Sequence, residues 1–358
     1  MFLAVGALCS QLAATRRQAA ELAAGVFGFA YVIRVVAYSG TALRWLHWVT
    51  PLGWVDELRP LTNSRPLALL PIVGLTAALA GITVVLAGTR DLGAGILPTN
   101  DTAPPHTRLL HSPLGLAARL ELHTALGWTI GLGAGGLVLG LSTKTVQGIW
   151  KDQTGGVVQR LGGASGGDAY LGLIFLIVAL LVGLAAAGQV TATREEEADG
   201  RLDHLLARPV AHLPWLAGRF TVAAAGIIVA GITTGFLTWL SATAAGADVS
   251  LPALLAAGAN VVPAGILVLG VGTLVHGLAP RAAGPVAYGI VAWSFLIEIV
   301  GAGLGASHWL LDLSVLHHIA RAPATGVGWD SAVALTALGI AAAVTGALAF
   351  AHRDLEGA

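Results

Sequence analysis

A chain of 358 residues that is 56% hydrophobic and only 11% charged, with a mean hydropathy of +0.79, is not an ordinary soluble domain, since such a domain carries about a quarter charged residues. Its net charge of zero offers no basic face for nucleic acid, and its single cysteine, Cys9, excludes an internal disulfide, a cysteine zinc cluster and a CxxC redox pair. The apolar runs recur at about twenty residues and are continuous rather than alternating, which marks membrane-spanning helices and not a barrel.

In chain order, residues 1–13 (MFLAVGALCSQLA) are apolar but too short to span, and they lack the basic n-region and A-x-A site of a signal peptide. Full spans are predicted at 19–37, 68–88, 122–142, 170–190, 217–243, 253–279, 283–304 and 331–351. Between the second and third lies GILPTNDTAPPH, rich in turn formers and read as an irregular joint. The following TRLLHSPLGLAARLE (107–121) sets Arg108, His111 and Arg119 among leucines and predicts a short amphipathic helix on the membrane surface. Glycine-rich GWTIGLGAGGLVLG (127–140) permits close helix packing. The fold class is therefore all-α and polytopic, with about eight full transmembrane helices and one partial N-terminal span.

The first 95 residues resemble the last 90 or so. AVGALCSQLAA (4–14) sits against GVGTLVHGLAP (270–280), HWVTPL (47–52) against HWLLDL (308–313), and TRDLGAG (89–95) against HRDLEGA (352–358), at offsets of 261–266. Three matches in register indicate a duplication. Residues 1–95 then form the second half of a first six-span repeat, 96–121 a linker with its interfacial helix, and 122–358 a complete second six-span unit. Residues 1–13 become the tail of a span, and the chain is expected to be shortened at its N-terminus.

Segments 14–18, 89–121, 191–219, 280–282 and 352–358 together hold eleven of the nineteen Lys and Arg residues. The positive-inside bias places them, and the C-terminus, in the cytoplasm. Trp45, Trp48, Trp54, Trp150, Trp309 and Trp329 then fall in outer loops, as interfacial anchors.

Residues 193–216, TREEEADGRLDHLLARPVAHLPWL, interrupt this greasy pattern. Glu197 and Arg201 stand four apart, a favourable helical pairing. Leu202, Leu205, Leu206 and Val210 make one apolar edge, and Pro209 ends or kinks the segment. By composition this is either a membrane-surface helix or a docking face for a soluble partner.

The run from Arg194 to Leu216 resembles the cytoplasmic signature of ABC-2 type exporter permeases, most closely the two-repeat permeases that export polyketide antibiotics or multiple drugs. SPLGLAARL (112–120), PLGWVDELRP (51–60) and RDLGAG (90–95) extend the likeness. The resemblance implies a plasma-membrane permease that moves hydrophobic small molecules outward through the lipid bilayer. It implies two copies of an ABC ATP-binding subunit as partners, holding the ATP and Mg. The contact residues it assigns are Arg194, Glu195, Glu196, Gly200, Arg201, Asp203, Leu205, Leu206, Pro209 and Val210. No Walker A motif is present in the sequence, GLSTKT (140–145) lacking the glycine before its lysine, so no catalytic residue or nucleotide cofactor is expected in this chain.

Two charges lie inside predicted spans, Arg34 and Glu298, at one repeat position given an offset of 264. Intramembrane charges are costly and usually paired or functional. The sequence supports an Arg34–Glu298 ion pair between the halves, with snorkelling to the interface as the alternative. His317–His318 lacks further ligands, so no metal site is expected. Two competing readings stand: an ion-coupled secondary transporter using Glu298, and a non-transporting membrane component.

Overall fold

The computed structural model describes residues 1–13, 15–38, 41–59, 65–89, 112–151, 167–200, 212–304 and 308–353. Among them every regular element is helical, and eight helices are long and apolar enough to cross a membrane. The chain divides into two compact units, Met1–His106 and Thr107–Ala358.

The first unit holds α1 (Phe2–Leu12), α2 (Arg16–Tyr38), α3 (Pro51–Glu57) and α4 (Leu69–Thr89). α1 packs on α2 and α4, and the short α3 folds back near the end of α2. Thr50 caps α3 by accepting from the Gly53 amide, with Pro51 pre-set at its first turn. Trp45 and Trp48 are exposed, as interfacial anchors should be.

The second unit comprises α5 (Pro113–Lys151), α6 (Gly167–Ala198), α7 (His212–Ala244), α8 (Leu251–Asn260), α9 (Val262–Leu278), α10 (Pro280–Leu304), the short α11 (His308–Leu311) and α12 (Trp329–Ala351). α6 is the central post. Its Leu171, Phe175, Val182, Ala186 and Val190 are buried against residues of α7, α9 and α10. α8 and α9 make one span broken at Val261, just ahead of Pro263, because proline removes a backbone donor and fits only a first turn.

Glycines set the closest approaches. In α9 and α12, Gly270 faces the Gly339 carbonyl and Gly277 faces the Gly346 carbonyl, so closely that a methyl group at either would overlap the facing backbone. In lipid, packing of this kind replaces the hydrophobic drive that holds soluble helices together. The glycine-rich stretch of α5 behaves likewise: Gly136 and Gly140 lie against Thr234, Thr238 and Ser241 of α7. Residues 113–121, expected as a separate surface helix, are instead the first turns of α5, continuous with the span. The reason is visible in Glu121, which points into the bundle and is buried.

Candidate coupling site

α6 carries the charged segment out of the span without a break. Thr193 to Ala198 belong to the same helix as Asp168, and the helix closes at Gly200, whose φ of +69° is a left-handed cap position that suits glycine. Gly200 donates its amide to the Glu197 carbonyl at 3.0 Å. The described start of the segment, Thr193 to Gly200, is therefore not an independent helix. Its first turn extends the membrane helix itself. Arg201, Asp203, Leu205, Leu206, Pro209 and Val210 lie outside the described residues.

The three consecutive glutamates face three environments. Glu195 is exposed, Glu196 is half-buried, and Glu197 is 3% exposed. Glu196 forms an ion pair with Arg219 of α7, and Arg219 also donates from Nη1 to Glu121 Oε1 of α5 at 3.0 Å. Glu197 receives Arg353, just beyond α12, through Nη2 at 2.9 Å and 3.0 Å to its two oxygens. His276 Nε2, near the end of α9, lies 3.3 Å from Glu197 Oε2. Two arginine clamps thus fasten the charged end of α6 to α5, α7 and the end of α12, with His276 of α9 beside the second.

An aromatic floor backs the clamps. The Phe350 side chain is fully buried, with the His276 ring stacked on it at 5.5 Å and the Trp215 and His212 rings each 5.8 Å away. The Arg353 guanidinium lies 5.3 Å from the Phe350 centroid, in cation–π range. Trp215 and His212 open α7 at the C-terminal end of the charged segment, so that end of the segment packs on the buried ring.

Sequence reasoning placed Arg194, Glu195, Glu196 and Gly200 here but missed Glu121, Arg219, His276, Phe350 and Arg353. A charge at a span boundary looks solvated until its partner is known. The available signal was that Arg219 and Glu121 both stand at edges of apolar runs, and that Arg353 belongs to the repeated RDL.

Arg34 and Glu298 are each compensated within their own unit. Arg34 donates from Nε and Nη2 to Asp56 at 2.6 Å and 2.9 Å, and the Tyr38 hydroxyl donates to the same carboxylate at 3.1 Å. Glu298 accepts from Arg321 Nη2 at 2.9 Å, with His317 Nδ1 3.9 Å from its other oxygen. Each charge of the expected Arg34–Glu298 pair therefore has a partner of opposite sign in its own unit. The partners are 22 and 23 residues away along the chain, and the polarity is reversed between the two units. Breaking the Glu298 pair by Arg321→Met is expected to cost about 2–3 kcal/mol, since it strands a buried carboxylate. Adding Glu298→Gln should return most of it, as thermal unfolding in detergent would show. His317 and His318 belong to no group of three metal-ligating side chains among the described residues.

A family described as the C-terminal domain of the multidrug efflux system permease Rv1217c matches residues 110–351. The chain is also similar to the multidrug efflux system permease protein Rv1217c of Mycobacterium tuberculosis (strain ATCC 25618 / H37Rv), with 33% identity over 368 residues. That alignment covers 99% of this chain and 65% of the relative, so the chain spans somewhat less than two thirds of the relative's length.

Proposed function

The chain belongs to the family of the multidrug efflux system permease Rv1217c, and on that premise we propose that it is the membrane-spanning permease of an ATP-driven exporter of the ABC-2 type. Hydrophobic drugs or polyketide-type antibiotics are its substrates. Two copies of a separate ABC ATP-binding subunit supply the ATP hydrolysis, docking on the segment 193–216 at the cytoplasmic face, where the C-terminus also lies. Residues 1–95 form the second half of one six-span repeat, and 122–358 a complete second one.

One observation carries the reading. The charged segment begins as the last turn of a central membrane helix, and its Glu196 and Glu197 are gripped by arginines belonging to α7 and to the end of α12. A force applied beyond Gly200 has rigid routes into α5, α7, α9 and α12, while exposed Glu195 remains available to a partner. A merely interfacial helix has no need of such anchoring. The ion-coupled alternative loses its main support, because Glu298 is held by Arg321.

The test uses tagged chain and the ATP-binding subunit from the same genome. Capture of that subunit is expected from the native chain, with a loss of about tenfold or more for Glu195→Lys combined with Arg201→Glu, since reversed rim charges disfavour docking. Unchanged capture by the variant, or drug export that persists without the ATP-binding subunit, would overturn the reading.

A further inference from the structure

Between the two clamps lies a small cavity lined by Glu121, Gln189, Thr193, Arg219, Thr273 and His276, with about 10 Å³ open to the centre of a water-sized body. That is room for one water. Glu121, Arg219 and His276 are 3%, 4% and 2% exposed. Each leaves polar atoms with no hydrogen-bond partner: Glu121 Oε2, Arg219 Nε, and both ring nitrogens of His276. In the interior of a membrane bundle such atoms have no bulk solvent to turn to, and each unmet one costs several kcal/mol.

The inventory of donors and acceptors is the informative part. Arg219 Nε can only donate, Glu121 Oε2 as a carboxylate can only accept, and a neutral His276 ring offers one donor and one acceptor nitrogen. A single water would serve all three residues: accepting from Arg219 Nε and donating to Glu121 Oε2 and to the acceptor nitrogen of His276, it would make the two to four bonds a stable internal water requires. The neighbouring cavity, lined by Trp128, Leu132, Val182, Ile227 and alanines, has Gln189 and the Trp128 indole as its polar groups and no charged one.

We propose that this cavity is an internal water site, and that its water joins the Arg219 clamp to the Glu197–His276–Arg353 clamp as one cooperative node. Glu121 and Glu196 pair with Arg219, and Glu197 with Arg353, His276 lying beside it. Hydrogen bonding through the water makes loosening of one clamp felt at the other. The charged groups around it are Glu121 of α5, Arg194, Glu196 and Glu197 of α6, Arg219 of α7 and Arg353 after α12, with His276 of α9 beside them, so the site sits in a balanced field of both signs. The inference does not depend on the transport reading.

Two measurements on the full chain in lipid nanodiscs test it. A structure at water-resolving resolution should show one ordered density within hydrogen-bond reach of Glu121, Arg219 and His276. Thermal unfolding of Glu121→Gln, His276→Phe and the double variant should give a combined Tm shift clearly smaller than the sum of the single shifts. Repeating the cycle in an Ala223→Leu background, which fills the cavity, should restore additivity. A dry cavity overturns the proposal outright. A water with additive shifts, or coupling that survives Ala223→Leu, overturns the cooperative node.

Discussion

Arg219→Met is expected to be among the most damaging single substitutions in this chain. Arg219 is 4% exposed and serves two carboxylates, Glu121 and Glu196, from two different helices. A buried ion pair seldom contributes much beyond an apolar replacement of both partners, but removing one partner alone leaves a charge that nothing solvates. Here removal strands two. The expected loss is about 3–5 kcal/mol, which in a bundle of this size is on the order of 10 °C in Tm. Neutralising the stranded acids, by Glu121→Gln and Glu196→Gln in the Arg219→Met background, should recover more than half. Thermal unfolding in one detergent is sufficient, and an Arg219→Met protein within about 1 kcal/mol of native would show that the clamp is not a structural element.

The second large effect concerns backbone proximity rather than charge. Gly277→Leu places a branched side chain where the Gly346 carbonyl of α12 already sits, and Gly270→Leu does the same against Gly339. Backbone cannot retreat as a flexible side chain can, so the helices must part along their whole contact. Even alanine should cost about 1–3 kcal/mol here, and leucine should abolish monodisperse folded protein. The control is Gly289→Ala in α10, where nothing lies within 4 Å of an added methyl. That substitution should be neutral or stabilising by up to about 1 kcal/mol through helix propensity. Size-exclusion profiles and Tm values of the three variants distinguish specific close packing from a general intolerance of change at glycine.

Much of the fold was legible because spans announce themselves by length and continuity. The predicted 19–37 and 331–351 become Gln18–Tyr38 and Trp329–Ala351. Errors gather where hydropathy meets a charge. The third and fourth spans, predicted at 122–142 and 170–190, run Pro113–Val146 and Asp168–Ala198. Hydropathy scores each residue alone, so Glu121 and Glu197 look like exits from the membrane. Their partners, Arg219 and Arg353, stand 98 and 156 residues further along, and only the fold reveals that these charges are buried and compensated. Intramembrane Arg34 and Glu298 read in the sequence either as a pair or as charges snorkelling to the interface. Pairing them with each other follows from the similar stretches of sequence, which are easier to see than Asp56 in the short helix α3 or Arg321 in an irregular segment.

The reversed polarity of those two pairs bears on how the gene can change. On the proposed duplication residues 34 and 298 share a register, yet one is a base paired with an acid and the other an acid paired with a base. A chimera that moved the α2 segment into the place of α10 would set guanidinium against guanidinium at Arg321. The converse exchange would set carboxylate against carboxylate at Asp56. If the proposed duplication holds, recombination between the two stretches would be penalised at the level of the folded protein, by a pair of contacts that each looks merely local.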